Sequence, residues 1–79
     1  METREEILEL LADRLTVIMG AGEYTEEVAF ESLGLKSVNY SQLTTSLEDE
    51  LDVEIPFMDF RRKKTIAEAA DYLLQLVEG

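Results

Sequence analysis

The 79-residue sequence contains no cysteine and no histidine. The absence of cysteine excludes disulfides and thiolate metal sites. The absence of histidine removes the commonest metal ligand and the usual general base near neutral pH. Together these absences count heavily against hydrolytic or nucleophilic catalysis, and we expect neither a metal site nor an enzyme.

Basic residues are scarce as well, because 7 lysines and arginines stand against 18 acidic residues and leave a net charge of −11. Such a surface repels nucleic acids and anionic membranes and attracts basic proteins. No apolar run approaches the roughly 20 residues that span a bilayer, and the acidic N-terminus is unlike a signal peptide. We expect a cytoplasmic monomer with no nucleic-acid partner and no membrane insertion, folded as a single domain over residues 1–79.

Helical periodicity dominates the pattern. Thr3 and Glu6 have the spacing of a capping box and predict a helix over 4–19. A second helix should begin near Ser37, a short one should cover 57–62, and a last one should follow Thr65-x-x-Glu68 to about residue 77. The apolar stripes of the three long helices are Ile7, Leu11, Leu15 and Ile18; Tyr40, Leu43, Leu47 and Leu51; and Ile66, Ala70, Leu73 and Val77.

Two segments join these helices. Residues 20–36 form a long connection without a strong period, which is unusual in a compact domain and often functional. Asp52 to Pro56 should be extended, since the residue before a proline avoids the helical region, and Val53 and Ile55 should then point inward. A small all-α bundle is the natural packing of such elements.

Two runs of like charge have competing interpretations. Glu48-Asp49-Glu50 could bind a cation, but consecutive helical residues diverge around the axis, which favours a solvated face. Arg61 to Lys64 could bind nucleic acid, yet four cations in so acidic a domain are weak evidence for that. Pairing with the chain's own acids is the favoured interpretation, and contact with a phosphate or an acidic partner stays open.

Ser37 stands alone at the head of the second helix. No histidine is present and no aspartate precedes it, so nothing visible would activate it as a nucleophile. On position alone, an ordinary helix N-cap explains it. A small acidic enzyme using Glu26 and Glu27 is a further, weak interpretation, because adjacent carboxylates in a loop need not converge.

A co-linear set of residues surrounds Ser37 and extends over the later helices: Phe30, Leu33-Gly34, Lys36-Ser37-Val38, Leu43, Leu47-Glu48, Glu50-Leu51, Glu54-Ile55-Pro56, Thr65-Ile66-Ala67 and Tyr72-Leu73. This set resembles the acyl carrier protein family. The resemblance implies a single acyl carrier domain: a four-helix bundle with three main helices, a short third helix and a long loop between the first two. It also implies that 4′-phosphopantetheine is attached covalently to Ser37. In that family, a phosphopantetheinyl transferase transfers this group from coenzyme A with magnesium. The thiol of the attached group then carries acyl groups as thioesters.

The sequence departs from the family at the attachment motif, where Lys36-Ser37-Val38 replaces the usual Asp-Ser-Leu. We hypothesise that Lys36 lies near the phosphodiester. The uncharged front of the second helix indicates a specialised carrier, serving acyl-transferring, ligating or condensing enzymes of a fatty acid, polyketide or lipid pathway. The alternative is an unmodified interaction module in which Ser37 is only a helix cap. The residues expected to contact partners are Val38, Asn39, Ser41, Gln42, Arg61 and Arg62.

Overall fold

Residues 3–79 are described by a computed structural model, and they form five helices. These are α1 (Arg4–Met19), α2 (Phe30–Leu33), α3 (Ser37–Leu51), α4 (Phe57–Arg61) and α5 (Ile66–Glu78). The expectation of an all-α bundle with three main helices and a short one is confirmed by α1, α3, α5 and α4. The difference is α2, a single turn inside the long connection.

The capping box predicted for α1 is present. Thr3 Oγ1 accepts the N–H of Glu6 at 3.2 Å, and Glu6 Oε1 accepts the N–H of Thr3 at 3.0 Å. These two bonds satisfy backbone donors that the first turn of a helix leaves without a partner. The helix ends at Gly20, whose φ of 97° lies in a region that glycine adopts without steric cost.

The core lies between the three long helices, with α1 packed against both α3 and α5. The stripes predicted from the sequence supply most of it. Each short helix adds one large aromatic side chain to the core: Phe30 of α2 and Phe60 of α4 are at most 2% exposed. Burying a side chain of this size contributes about 1.5–3 kcal/mol. The largest fully buried side chains are Phe30, Phe60, Ile7, Leu11, Leu15, Leu43, Leu47, Ile66 and Leu73.

The segment after α3 differs in part from the expected extended form. Asp52 adopts a left-handed conformation with φ 54°, so the chain reverses there instead of extending from this residue. Ile55 is buried as expected, whereas Val53 is only half-buried. The expectation that all of Asp52–Pro56 is extended was therefore wrong at its first residue.

The spacing Thr65-x-x-Glu68 gives half of a capping box. Thr65 Oγ1 accepts the N–H of Glu68 at 3.2 Å, as expected. The carboxylate of Glu68 accepts instead from the N–H of Lys64, also at 3.2 Å. Thr65 is the N-cap of α5, so a complete capping box would require the N–H of Thr65 itself to donate to Glu68.

The long connection is tied to the start of α5 by backbone hydrogen bonds. The N–H of Phe30 donates to the carbonyl of Lys64 at 2.9 Å, and the N–H of Ile66 donates to the carbonyl of Val28 at 3.0 Å. The N–H of Ala67 adds a bond to the carbonyl of Glu26 at 2.9 Å. Such pairing supplies partners for backbone groups of a segment that has little helix of its own. None of the helices in residues 3–79 is long and apolar enough to cross a membrane.

Candidate functional site

Ser37 is the first residue of α3, and its side chain is exposed. The turn that leads to it passes through Gly34, which has a φ of 69° and ends α2 in a left-handed conformation. Glycine suits this position because a side chain would add backbone strain there. The turn places Ser37 at the surface, on the edge of the bundle where α3 begins.

The N-cap of α3 is Lys36, not Ser37. The backbone of Lys36 is extended, with φ −95° and ψ 169°, and its N–H donates to Asn39 Oδ1 at 2.9 Å. The interpretation of Ser37 as an ordinary N-cap is therefore wrong. Because the cap lies one residue earlier, the hydroxyl of Ser37 is not used to satisfy the first turn of the helix.

The hydroxyl of Ser37 contacts a cation from another helix. Arg61, the last residue of α4, donates from Nη1 to Ser37 Oγ at 2.9 Å. The guanidinium carbon also lies 5.4 Å from the centre of the Tyr40 ring, in the arrangement of a cation–π contact. The sequence placed Arg61 among partner contacts and contains no signal for this pairing, since the two residues are 24 positions apart.

Tyr40 connects this site to the core. It lies one turn after Ser37 and is only 8% exposed. Its ring centre is 5.9 Å from that of Phe30 and 6.5 Å from that of Phe60. Burial raises the pKa of the Tyr40 phenol, and the charge of Arg61 partly opposes that rise. Phe30, Tyr40 and Phe60 form an aromatic cluster, and the packing of Tyr40 in this cluster fixes the ring that Arg61 contacts.

The remaining basic residues of the 61–64 run behave differently from one another. Arg62 forms an exposed ion pair with Asp59, with 3.7 Å between Nη1 and Oδ1. Lys63 Nζ lies 4.5 Å from the ring centre of Tyr72. The sequence favoured pairing of this run with the chain's own acids. Among Arg61 to Lys64, the ion pairs of the described residues 3–79 include only Arg62.

An open cleft lies beside the aromatic cluster and has a volume of about 520 Å³. Its walls combine aromatic rings with the basic run that follows α4. Because Arg61 and Tyr40 belong both to the cleft and to the surroundings of Ser37, the two features are continuous. The residues that line it are Ala29, Phe30, Glu31, Tyr40, Arg61, Arg62, Lys63, Lys64 and Thr65.

Four other residues expected to contact partners are exposed. Val38 is 60% exposed, and Ser41 and Gln42 lie on the surface of α3, as does Arg62 just after α4. Asn39 is half-buried and its side chain already accepts the N–H of Lys36. The structure therefore gives Asn39 a role in shaping the start of α3.

The acidic candidates have structural explanations. Glu48 accepts the N–H of Ile55, while Asp49 and Glu50 are exposed, as a solvated face requires. No group of three or more potential ligands in residues 3–79 could hold a metal ion. Glu26 pairs with Arg4 at 2.9 Å, and a hydrogen bond from Thr25 lowers the pKa of Glu27, which is the wrong direction for a general acid.

The local electrostatics at Ser37 favour an anion. The first turn of α3 contains no acidic residue. Lys36 is the N-cap of this helix, and Arg61 of α4 contacts Ser37, so two cationic residues lie at or next to its start. The N-terminus of a helix adds a partial positive charge of its own. A phosphate group esterified to Ser37 would therefore meet favourable charges in a chain that is otherwise strongly acidic.

Fold and site together define a carrier-type helical bundle: three long helices around one core, with an exposed serine at the head of the second. Residues 5–73 match the family model described as the phosphopantetheine attachment site. The chain is 33% identical over 75 residues to an acyl carrier protein of Clostridium perfringens, which covers 94% of this chain and 96% of that protein. It is 35% identical over 74 residues to an acyl carrier protein of Syntrophus aciditrophicus, covering 92% and 90% of the two chains. The chain belongs to the acyl carrier protein family.

No solved structure is a significant match to this chain. The cofactor of the family is covalently attached 4′-phosphopantetheine. The residues at the head of α3 fit such a group, because Ser37 offers an exposed hydroxyl and Arg61 holds a guanidinium 2.9 Å from its oxygen. The resemblance noted from the sequence is thereby confirmed at the level of the family and its cofactor.

Proposed function

We propose that Ser37 is the attachment point of the prosthetic group, and that the whole chain is one acyl carrier domain. It would carry acyl intermediates as thioesters and present them to partner enzymes without catalysing a reaction itself. The observation that carries this proposal is the exposed hydroxyl of Ser37, which does not cap α3 and accepts a hydrogen bond from Arg61. An oxygen without a role in helix capping can be esterified at little cost to the fold.

The residues around Ser37 have distinct parts in this function. Ser37 supplies the oxygen that forms the phosphodiester when a phosphopantetheinyl transferase acts on coenzyme A. The bound group then provides a thiol for cargo. Asn39 holds the backbone of Lys36, and so positions the turn that presents Ser37. Lys36 is exposed beside the attachment point and adds positive charge near the phosphodiester.

The partner surface that we propose is the front of α3 together with the end of α4. It comprises the exposed residues Val38, Ser41 and Gln42 and the cations Arg61 and Arg62, with Asn39 behind them. An apolar residue and several neutral polar ones, flanked by arginines, suit partners that do not depend on a basic surface. We infer a monomeric cytoplasmic carrier, serving acyl-transferring, ligating or condensing enzymes of a specialised fatty acid, polyketide or lipid pathway.

The experiment that tests the attachment is intact-mass spectrometry. The protein is incubated with coenzyme A, magnesium and a promiscuous phosphopantetheinyl transferase. We expect wild type to gain the mass of one phosphopantetheine group, and Ser37→Ala to gain nothing. Thr45→Ala is the control, since Thr45 is an exposed hydroxyl residue of α3 outside the proposed partner surface and should leave the gain intact.

The absence of any mass gain would overturn the proposal, provided that a transferase from the same genome is among those tried. Such a result would favour the unmodified interaction module. In that case Ser37 would still not be a helix cap, because Lys36 holds that position.

The partner surface is tested by two substitutions to acidic residues. Val38→Asp and Arg62→Glu should each slow transfer of an acyl group to a cognate enzyme, without slowing modification of Ser37 by the promiscuous transferase to the same degree. Val17→Asp is the control for Val38→Asp, because Val17 is similarly exposed, at 68%, but lies on α1. Equal kinetics for Val38→Asp and Val17→Asp would exclude this surface.

A further inference from the structure

We propose that Arg61 binds the phosphodiester of the prosthetic group within the same chain and so fixes the start of the arm against α4. This inference rests on the proposed attachment at Ser37. It gives Arg61 a binding role besides partner contact. The carrier would then supply its own counter-charge at the site where the arm begins.

The first argument is distance. Arg61 Nη1 lies 2.9 Å from Ser37 Oγ, the oxygen that would become the ester oxygen of the phosphodiester. A phosphorus atom bonded to that oxygen brings the two non-bridging oxygens of the phosphodiester, which share one negative charge, close to Arg61. A guanidinium has five N–H donors in a planar fork that matches phosphate oxygens, and Ser37 uses one of them. Hydrogen bonds between such charged groups are roughly twice as strong as neutral ones.

The second argument is that Arg61 is held in place. Its guanidinium rests on the ring of Tyr40 at 5.4 Å. The residue before it, Phe60, is fully buried and fixes the backbone from which the side chain extends. Less side-chain freedom is therefore lost when the phosphate binds than for a freely moving arginine.

The third argument is that the charge of Arg61 is not neutralised. Among the ion pairs within residues 3–79, Arg61 takes part in none, whereas the neighbouring Arg62 pairs with Asp59. The pair of arginines is thus divided between two tasks. Arg62 pairs with an acidic residue of α4, and Arg61 contacts the serine hydroxyl.

The consequence concerns the direction of the arm. Arg61 borders both Ser37 and the cleft beside Tyr40. A phosphodiester bound to Arg61 would start the arm on the α4 side of Ser37. Partner enzymes would consequently need fewer cations of their own at this point.

The test uses the fully modified protein, confirmed by intact mass, as wild type, Arg61→Gln and Arg62→Gln. The ³¹P resonance of the phosphodiester is recorded at low and at high salt, with no partner enzyme present. We expect Arg61→Gln to move the resonance away from its wild-type position at low salt, with the difference shrinking as salt screens the contact. Arg62→Gln should leave the resonance where it is in wild type.

A second measurement compares unfolding in urea before and after modification. Modification should favour the folded state of wild type and of Arg62→Gln by a factor that Arg61→Gln loses, about two- to five-fold in the unfolding equilibrium constant for an exposed charged pair. Arg61→Lys, which keeps the charge without the planar fork, should give an intermediate value. Circular dichroism confirms that each variant is folded.

Two results would overturn the proposal: a ³¹P resonance and a modification effect in Arg61→Gln equal to those of wild type, or equal changes in Arg61→Gln and Arg62→Gln. The second result would mean a general effect of positive charge. Failure of the proposed function is separate, since it appears as absence of modification in wild type and never reaches the ³¹P measurement.

Discussion

Glu48 accepts a hydrogen bond from the backbone N–H of Ile55, with 2.8 Å between Oε2 and N. The bond joins the last turns of α3 to the segment that follows the left-handed residue Asp52. Ile55 is buried in the core, so its hydrogen bond with Glu48 fixes the point at which the segment after α3 enters the core. One member of the acidic run therefore has a structural task, while Asp49 and Glu50 are exposed to solvent.

We predict that Glu48→Ala destabilises the fold by about 1–2 kcal/mol, because the N–H of Ile55 loses its acceptor in a partly buried setting. Glu50→Ala removes the same charge from an exposed position two residues away, and should change the free energy of unfolding by no more than about 0.5 kcal/mol. Urea unfolding of both variants checks this. A loss of the same size in both would mean that Glu48 acts only through its charge.

The start of α3 gives a second prediction. Asn39→Ala should cost about 0.5–1.5 kcal/mol, because the N–H of Lys36 loses the side chain that accepts it. Ser37→Ala should cost less than about 0.5 kcal/mol, since its hydroxyl makes only an exposed contact with Arg61. A serine that capped the helix would cost typically ~1 kcal/mol on replacement by alanine. Chemical denaturation of the unmodified proteins separates these cases, and a larger loss for Ser37→Ala than for Asn39→Ala would contradict our assignment.

The long helices could be predicted from the sequence because their apolar residues recur at helical spacing. Ile7, Leu11 and Leu15 are all fully buried, and α1 has the bounds that its capping box and Gly20 predict. The long connection over residues 20–36 was harder to predict. Phe30 lies in a segment without a period, and its N–H donates to the carbonyl of Lys64, a pairing that no local pattern encodes.

For the candidate site, the sequence predicts Ser37 but not its contact with Arg61. Ser37 follows from the resemblance to the family, whereas its contact with Arg61 depends on how α4 packs beside α3. A run of four basic residues does not reveal which one contacts Ser37. The prediction that Ser37 is the N-cap of α3 was wrong for a different reason. By residue type, lysine is a poor N-cap and serine a good one, so N-cap propensity favoured Ser37 over Lys36. Asn39 Oδ1 accepts the N–H of Lys36, which is the reciprocal half of a capping box, and this bond fixes Lys36 at the start of the helix.

The aromatic cluster gives a third prediction. Phe60 is fully buried and its ring centre lies 6.1 Å from that of Phe30. Phe60→Ala should destabilise the fold by about 3–5 kcal/mol, a large share of the roughly 5–15 kcal/mol that stabilises a typical domain. Met58→Ala is the control in the same helix, since Met58 is 61% exposed and should have little effect. Thermal unfolding followed by circular dichroism measures both. Similar melting temperatures for the two variants would show that α4 is not anchored by Phe60.

The last prediction concerns alkaline pH. Burial raises the pKa of Tyr40 above the ordinary value of a tyrosine, so the folded state keeps the phenol proton that the unfolded state releases first. The contribution of Tyr40 to stability is therefore complete below the unfolded pKa of about 10 and is lost as pH rises through the folded pKa.

Tyr40→Phe should consequently lose less stability than wild type when the pH rises from about 8 to about 11, since phenylalanine has no proton to release. Arg61→Gln should lose more than wild type, because Arg61 lowers the pKa of Tyr40 and its removal widens the gap between folded and unfolded states. Burial also raises the pKa of Tyr72, and its contribution stays in both comparisons. Urea unfolding at several pH values measures the slopes. If the free energy of unfolding falls with pH equally in wild type and Tyr40→Phe, the phenol of Tyr40 has the same pKa in the folded and unfolded states. That result would contradict the electrostatic effect of Arg61 on Tyr40.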